Sequence, residues 1–284
     1  MAVKIISDST CDLSKELIEK YGIVIVPLSI TLGDRSGRDG IEVTPEDIYK
    51  YVKATGQLPK SSAVSVGEYK EVFKTWREQG YEIVHFSIST KFSASYQNAF
   101  TAAEEIGGVQ VVDSENLSTG QGLLVLHGAE MAQEGRSAAE IAAGCRALAK
   151  QVEASFVIDT TDYLHKGGRC SALTNLSASL LRIKPCIEVR NGAMHPGKKY
   201  HHSISHAIHS YVEDRLKNRT DIDPKRIFIT HTRIDPEIVS DVRQMICAHC
   251  PDMQEILETT AGATITTHCG PNTLGILFQK KGEG

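Results

Sequence analysis

The segment Val3–Gly22 reads VKIISDSTCDLSKELIEKYG, and it contains the pattern that decides the fold of the first half of the chain. The apolar run Val3–Ser7 predicts a buried strand, which the polar residues Asp8–Thr10 follow. The amphipathic stretch LSKELIEKY then predicts a helix, with Asp12 as its N-cap and Gly22 at its end. A strand followed at once by a capped helix is the first half of a βαβ unit.

The same alternation of strand and helix recurs down to about residue 150. Further strands are predicted at Ile23–Pro27, Ile83–Ser87 and Val109–Val112. Helices are predicted to start at Thr44-Pro45, Ser65, Ser118 and Ser137, and in the last three a Glu or Gln three residues later indicates a capping box. Strands that alternate with helices favour a mostly parallel sheet covered on both faces. We therefore predict a three-layer α/β/α domain over residues 1–152.

The pattern changes after the Ala-rich helix that is predicted from Ser137 to about Gln151. Strands are now predicted at Ser155–Ile158, Lys184–Val189, Arg226–Thr230, Gln254–Glu258 and Gly275–Gln279. Two helices lie between them, one starting near Ser203 and one after Asp235-Pro236. This order predicts a two-layer α+β domain with a mixed sheet over residues 153–284.

Composition excludes several classes of protein. The 284 residues are 41% hydrophobic and 23% charged, as in ordinary globular domains. The formal net charge of −4 offers little attraction for nucleic acid, and the longest apolar runs, about eight residues, are too short to span a membrane. The N-terminal sequence lacks the features of a secretory signal, so we expect a cytoplasmic protein. Seven scattered cysteines are expected to be free thiols, and Cys247-x-x-Cys250 has no second pair at zinc spacing.

Hydroxyl-bearing residues follow several predicted strands, and ligands of open α/β sheets bind at such strand ends. These residues are Ser7–Thr10, Ser89, Thr90 and Ser93, Thr230-His231, and Thr266–His268. Hydroxyls, helix N-terminal amides and an imidazole suit a carboxylate or a phosphate, although each hydroxyl alone also fits a turn or a cap. The cationic turn His165–Arg169 could bind an anion or a partner protein. The simpler alternative is an exposed turn whose charges are solvated. His202, His206 and His209 share one helical face, which suits a metal or, more simply, solvent.

Eight segments resemble, in order along the chain, the sequence motifs of the DegV family of fatty-acid-binding proteins. They are IISDSTCDL, VPLSI, LPKSSAVS, ISTKFSASYQNA, VVDSENLSTGQGLLV, DYLHKGGRCSAL, LLRIKPCIEV and THCGPNTLGI. The resemblance covers nearly the whole chain and implies a DegV-like fold with a long-chain acyl group buried between two domains. It also implies a non-catalytic carrier that presents the fatty acid to a separate, ATP-using fatty-acid kinase, which makes an acyl phosphate for lipid synthesis.

The resemblance also implies a set of site residues. Ser93, within STKFSASYQ, matches the family's carboxylate-binding serine; Ser61 and Ser62, within SSAVS, match its hydroxyl segment; and His268, within TTHCGPN, matches its histidine. Arg169, Lys166 and Thr267 are expected to contact the head group or the kinase. The chain departs from the family pattern at Thr90-Lys91-Phe92 and at Lys199-Tyr200-His201-His202. No cofactor, metal, nucleic acid or stable membrane insertion is expected.

Two other functions compete with a lipid carrier. A hydrolase would use a serine activated by His268, and it would need an orienting acid and an oxyanion hole that no motif indicates. A module that binds nucleotides or sugar phosphates would use helix N-termini, but the chain has no glycine-rich phosphate loop.

Overall fold

Thirteen strands and ten α-helices lie within the part of the chain that the computed structural model describes, residues 2–169 and 183–282. The strands are β1 (Val3–Asp8), β2 (Val24–Val26), β3 (Ser29–Leu32), β4 (Arg35–Arg38), β5 (Lys60–Ser62), β6 (Glu82–Ser87), β7 (Val109–Asp113), β8 (Val152–Val157), β9 (Ile183–Arg190), β10 (Ala193–His201), β11 (Ile222–His231), β12 (Glu255–Thr260) and β13 (Leu274–Lys280). The helices are α1 (Lys15–Tyr21), α2 (Pro45–Thr55), α3 (Val66–Glu78), α4 (Ser95–Ile106), α5 (Ser118–Gln133), α6 (Ala138–Ala149), α7 (Asp162–Gly167), α8 (Ile204–Leu216), α9 (Pro236–His249) and α10 (Ala263–Cys269).

The first half of the chain forms a parallel sheet with the strand order β2-β1-β6-β7. This confirms the parallel sheet predicted from the alternation of strands and helices. The strand order reverses direction between β1 and β6, and in doubly wound sheets ligands bind at the carboxyl ends of the strands at such a point. The hydroxyl-rich segments that follow β1 and β6 therefore lie where a ligand site is expected.

The second half forms a six-stranded mixed sheet with the order β10-β9-β8-β13-β11-β12, in which only β11 and β12 pair in parallel. Helices α8 and α9 pack together on this sheet, and their side chains, such as Ile208 and Val242, share an apolar cluster with β11 and β13. The mixed sheet was predicted as well. The boundary between residues 152 and 153 remains a prediction, because one core cluster contains residues from both halves, such as Phe86 and Phe228.

Helix α5 connects the two sheets. It contacts β1 and β6 of the parallel sheet and β8, β11 and β13 of the mixed sheet. Most of its side chains, including Leu124 and Leu126, are buried. A helix that is apolar on all sides is one that the protein surrounds completely, so α5 forms the centre of the shared core.

A small antiparallel sheet with the order β4-β3-β5 was missing from the sequence interpretation. Its strands are only three or four residues long. Strands β4 and β5 consist mainly of arginine, lysine and serine and lack the apolar alternation that indicates a strand, whereas the alternation in β3 is only four residues long. This sheet bears on the candidate site because β5 carries Ser61 and Ser62, two of the predicted head-group residues.

Two predicted helix caps are wrong. Helix α1 is capped by Ser14, whose hydroxyl accepts from the Leu17 amide at 3.4 Å, and Asp12 instead lies buried with a φ of 50°. Ser118 forms no capping box, because its hydroxyl donates to Asp12 Oδ2 at 2.5 Å. Conversely, Thr44 forms a capping box with Asp47. The usual capping-box pattern has Glu or Gln at this position, so the sequence pattern did not predict it. The boxes at Ser65 and Ser137 are confirmed.

No helix in the described part of the chain is long and apolar enough to cross a bilayer.

Candidate functional site

Four of the predicted head-group residues line one pocket, together with Arg169, one unpredicted polar residue and several apolar ones. We call this cavity, of about 40 Å³, the Ser–His pocket. Its polar lining residues are Ser61, Ser62, Ser93, Arg169, Thr264 and His268. Its apolar lining residues are Leu28, Ala63, Ile88, Phe92, Leu117, Met194, Ile265 and Cys269. The pocket thus combines a group of hydrogen-bonding side chains with an apolar surface, and it draws residues from both halves of the chain.

Strand β5 brings Ser61 to the pocket. Ser61 pairs with Ile30 of β3, and its Oγ lies 2.8 Å from Nε2 of His268. These residues are 207 positions apart in sequence, so the contact depends on the whole fold. Ser62 also lines the pocket and is more exposed than Ser61.

His268 lies in the last turn of α10 and is half-buried. Burial, together with the smaller effect of the Arg169 charge, lowers the pKa of its imidazole to about 4. The imidazole is therefore neutral at neutral pH. Its Nδ1 is buried without a hydrogen-bond partner among residues 2–169 and 183–282. The backbone of Gly167 lies so close that a Cβ at that position would be 2.6 Å from this nitrogen.

Two carboxylates from the first half of the chain fix the start of α10. Asp12 Oδ1 accepts from the Gly262 amide at 2.8 Å, and Asp39 Oδ1 accepts from the Ala263 amide at the same distance. A helix of seven residues is too short to be stable alone, so contacts at its two ends determine where it lies. The carboxylates hold its first turn, and the Ser61 contact holds His268 in its last turn.

Burial raises the pKa of the Asp12 carboxyl to about 8, while the hydrogen bonds from Ser118 and Gly262 act in the opposite direction. Asp12 Oδ1 can accept from the Gly262 amide in either protonation state. The bond to α10 therefore does not require a charged Asp12.

Ser93 lies in the turn between β6 and α4. Its Oγ accepts from the Ser95 amide at 3.1 Å and lies 2.9 Å from Ser95 Oγ. The start of this turn is fixed by Asp8, whose Oδ2 accepts from Ser87 Oγ at 2.7 Å and from the Ile88 amide at 3.1 Å. Tyr69 donates to the other oxygen of Asp8 at 2.5 Å. A buried carboxylate thus organises the segment that carries Ser93.

The other predicted contact residues differ in their positions. Arg169 is exposed, lines the pocket, and donates to the Gly167 carbonyl at 2.7 Å. Lys166 is exposed on α7 and does not line the pocket. Thr267 is buried on α10, where its hydroxyl donates to the Ala263 carbonyl at 2.8 Å, and it does not line the pocket either. The roles proposed for these three residues remain predictions.

Sequence reasoning missed Thr264, which lines the pocket from α10. The spacing in the sequence could have indicated this residue. Thr264 and His268 are four residues apart, and residues at this spacing share one face of a helix. The sequence analysis predicts no helix in this segment, so the four-residue spacing was not used. Asp12 and Asp39 were missed as supports of α10 because no local pattern connects them to a helix more than 200 residues away.

A second cavity, of about 20 Å³, adjoins the Ser–His pocket. Leu117, Ile265 and Cys269 line both cavities. Farther in, the second cavity reaches the apolar side chains of Phe156 and Leu277. The apolar surface therefore continues from the Ser–His pocket toward the mixed sheet.

A larger groove, of about 760 Å³, has a different character. It is lined by charged side chains such as Glu153, Arg215 and Arg219. The guanidinium groups already bind a carboxylate, with Arg215 Nη2 2.6 Å and Arg219 Nη2 3.0 Å from Glu153 oxygens. Apolar side chains such as Val152 and Val189 lie among these charged groups, but none of the predicted head-group residues lines the groove, so we place the candidate site in the Ser–His pocket.

The histidine and cysteine motifs form no larger cluster. The rings of His202 and His206 lie 5.1 Å apart, whereas His209 Nε2 lies 3.0 Å from Asp241. Within the described ranges, no three His, Cys, Asp or Glu residues are arranged to hold a metal ion. Cys247 is exposed and Cys250 half-buried, and Cys170 lies outside the described residues.

Comparisons with known proteins agree with the fold. The sequence model of the family described as "Uncharacterised protein, DegV family" matches residues 2–281. A relative from Thermotoga maritima, named fatty acid-binding protein, is 30% identical over 283 residues, which cover 97% of this chain and 96% of the relative.

Two solved structures show the same architecture. One, from Thermus thermophilus, is described as fatty acid binding of a DegV family protein; it is 28% identical, has a TM-score of 0.87, and the match covers 99% of this chain and 100% of that chain. The other, a stearic-acid-binding protein from Eubacterium ventriosum, is 27% identical with a TM-score of 0.84 and 98% coverage of both chains. The fold predicted from the sequence is therefore confirmed.

Proposed function

This chain belongs to the DegV family, and from that premise we propose that it binds one long-chain fatty acid in the Ser–His pocket. The hydroxyls of Ser61, Ser62 and Ser93 and the imidazole of His268 bind the carboxylate. The observation that carries the proposal is the 2.8 Å contact between Ser61 Oγ and His268 Nε2 in a pocket whose remaining lining is largely apolar. The relatives described as fatty-acid-binding proteins support the same ligand class.

The head-group residues suit a carboxylate that must later be released. Since His268 is neutral at neutral pH, the hydrogen bond between Ser61 and His268 takes one of two forms. If Nε2 donates to Ser61, the serine hydroxyl is free to donate to the ligand; if Ser61 donates, Nδ1 carries the ring proton. In the first form the Ser61 hydroxyl is the donor for a carboxylate oxygen, and no fixed ion pair forms there; in the second form the ring proton lies on Nδ1, which is buried against Gly167.

The acyl tail extends from the Ser–His pocket into the adjoining cavity. Together the two cavities have room for only a few water molecules, so Leu117, Ile265 and Cys269 must move apart to admit a long chain. Each buried methylene contributes about 0.8 kcal/mol, before the costs of ordering and association. The tail therefore supplies most of the affinity, and the head group supplies the orientation.

The bound fatty acid is presented to a separate fatty-acid kinase. There a carboxylate oxygen attacks the γ-phosphorus of ATP, and the products are an acyl phosphate and ADP. Arg169 and Lys166 support this proposal because both are exposed near His268, where a partner protein can reach them. The carrier itself performs no chemistry.

A hydrolase acting in the same pocket is the alternative. It would need an acid to orient the imidazole, but His268 Nδ1 lacks any hydrogen-bond partner in the described ranges. This favours a binding role for the Ser61–His268 pair over a catalytic one.

The proposal is tested with delipidated protein. Calorimetric titration with hexadecanoic acid is expected to give one site per chain, and saturation at 100 times the dissociation constant is expected to stabilise the fold by about 2.7 kcal/mol. Adding a bacterial fatty-acid kinase and ATP is expected to give acyl phosphate, detected as the hydroxamate. Absence of binding, or turnover of a p-nitrophenyl ester that His268→Ala abolishes, would contradict the proposal.

A further inference from the structure

Thr264 has a buried hydroxyl with no partner. Its side chain is 4% exposed, and its Oγ1 makes no hydrogen bond to any residue that the structure describes. Thr267, on the same helix, shows the usual arrangement, in which the hydroxyl donates to the carbonyl four residues earlier, here Ala263. Thr264 stands in the first turn of α10, where the fourth preceding residue belongs to β12, outside the helix. Its hydroxyl is therefore left for another group.

The hydroxyl belongs to the Ser–His pocket, which Thr264 lines. Thr264 precedes His268 by four residues, about 6 Å along the helix axis, and lies on the same helix face. The side chains become more buried in the order Arg169, His268, Thr264. Thr264 is thus the most buried of these three residues, and it lies one turn of α10 from His268, beside the apolar Ile265.

An unmodified acyl chain does not satisfy this hydroxyl. Methylene groups that pass Thr264 would leave Oγ1 unpaired, and an unpaired buried hydroxyl is unfavourable. Valine has nearly the same shape and carries no such penalty. A site that only had to hold hydrocarbon would therefore gain nothing from a threonine here.

We propose that Thr264 is a further ligand-binding residue, and that the preferred ligand is a fatty acid with a hydroxyl group on its chain near the carboxylate. The hydroxyls of ligand and protein form one hydrogen bond, while Ser61 and His268 bind the carboxylate. This inference rests on the proposed fatty-acid binding and specifies its substrate class.

The test compares ligands and variants of the delipidated full chain. Hexadecanoic acid and its 2-hydroxy and 3-hydroxy derivatives are titrated into the wild type, Thr264→Val, Thr264→Ser and the control Thr75→Val, which removes a hydroxyl on α3 that donates to the Glu71 carbonyl away from the pocket. At least one hydroxy acid is expected to bind the wild type about tenfold more tightly than hexadecanoic acid does, as one buried hydrogen bond allows. Thr264→Val is expected to abolish this preference, whereas Thr264→Ser and Thr75→Val retain it.

Two results would overturn the inference. One is a hydroxy-acid preference that is absent in the wild type or unchanged in Thr264→Val. The other is an equal loss of affinity for all three acids in Thr264→Val, which would make Thr264 a ligand of the carboxylate itself. Failure of every acid to bind the wild type would instead refute the proposed function. Thermal denaturation gives a check that needs no ligand: Thr264→Val removes an unpaired hydroxyl, so its midpoint is expected to be no lower than that of the wild type.

Discussion

Replacing His268 with glutamine is the most informative change at the proposed head-group site. The substitution removes the imidazole that lies 2.8 Å from Ser61 Oγ and lines the pocket beside Arg169. Hydrogen bonds to a charged group contribute about 1.5–3 kcal/mol. At about 1.36 kcal/mol per factor of ten, we expect His268→Gln to weaken the binding of an ionised fatty acid roughly 10- to 150-fold.

The methyl ester of the same acid provides the comparison. The ester has the same tail and no charge, so only a neutral hydrogen bond is lost, about 0.5–1.5 kcal/mol or roughly tenfold at most. Competition against a fluorescent fatty acid at neutral pH measures both affinities. The control His249→Gln removes an imidazole on α9 that lies 2.7 Å from Glu213, away from the pocket. Equal losses for acid and ester, or an unchanged affinity for the acid, would refute a carboxylate site at His268.

Three further predictions follow from the same contacts. Ser93→Ala and Ser137→Ala each remove a hydroxyl that accepts from a backbone amide, and both are expected to lower the free energy of unfolding by about 1 kcal/mol. Only Ser93→Ala is expected to weaken fatty-acid binding, by about tenfold. If calorimetry gives equal fatty-acid affinities for the two variants, Ser93 does not belong to the site. The pKa of His268 is about 4 in the folded protein and 6.5 in its ordinary state, so between these pH values the folded chain binds fewer protons than the unfolded chain. The free energy of unfolding, measured by urea titration, is therefore expected to fall by up to about 3 kcal/mol from pH 6.5 to pH 4. A wild-type pH profile parallel to that of His268→Gln would contradict this. Tyr69→Phe removes the hydroxyl that donates to buried Asp8 at 2.5 Å. Because a buried acceptor loses its partner, we expect the free energy of unfolding in urea to fall by about 1–3 kcal/mol, with Tyr81→Phe as the control. A loss no larger than that of the control would show that this hydrogen bond does not stabilise the fold.

Local sequence patterns were sufficient to predict the two main sheets. Runs such as those now seen in β1 and β6 are apolar and bounded by polar residues, so their periodicity identifies them without tertiary information. Capping boxes at Ser65 and Ser137 are equally local. The capping box predicted at Ser118 was wrong because the Ser118 hydroxyl donates to Asp12, which lies 106 residues away in sequence.

The candidate site was only partly predictable, for the same physical reason. Ser61, Ser93 and His268 were placed together by resemblance to a family, and the structure puts all three on one pocket. Neither a periodicity nor a motif reveals that β5 is a strand. It has only three residues, and its partner strand β3 has only four, so both are too short to show a periodic pattern. The support of α10 by Asp12 and Asp39 also depends on contacts across more than 200 residues.

The most direct test of fatty-acid binding is mass spectrometry of an organic extract from purified, tag-free protein. Denaturation followed by extraction is expected to release close to one fatty acid per chain, and the mass of that acid gives its length, unsaturation and oxygen content. An extract free of lipid, from well-folded protein that also fails to bind added fatty acids, would contradict the account.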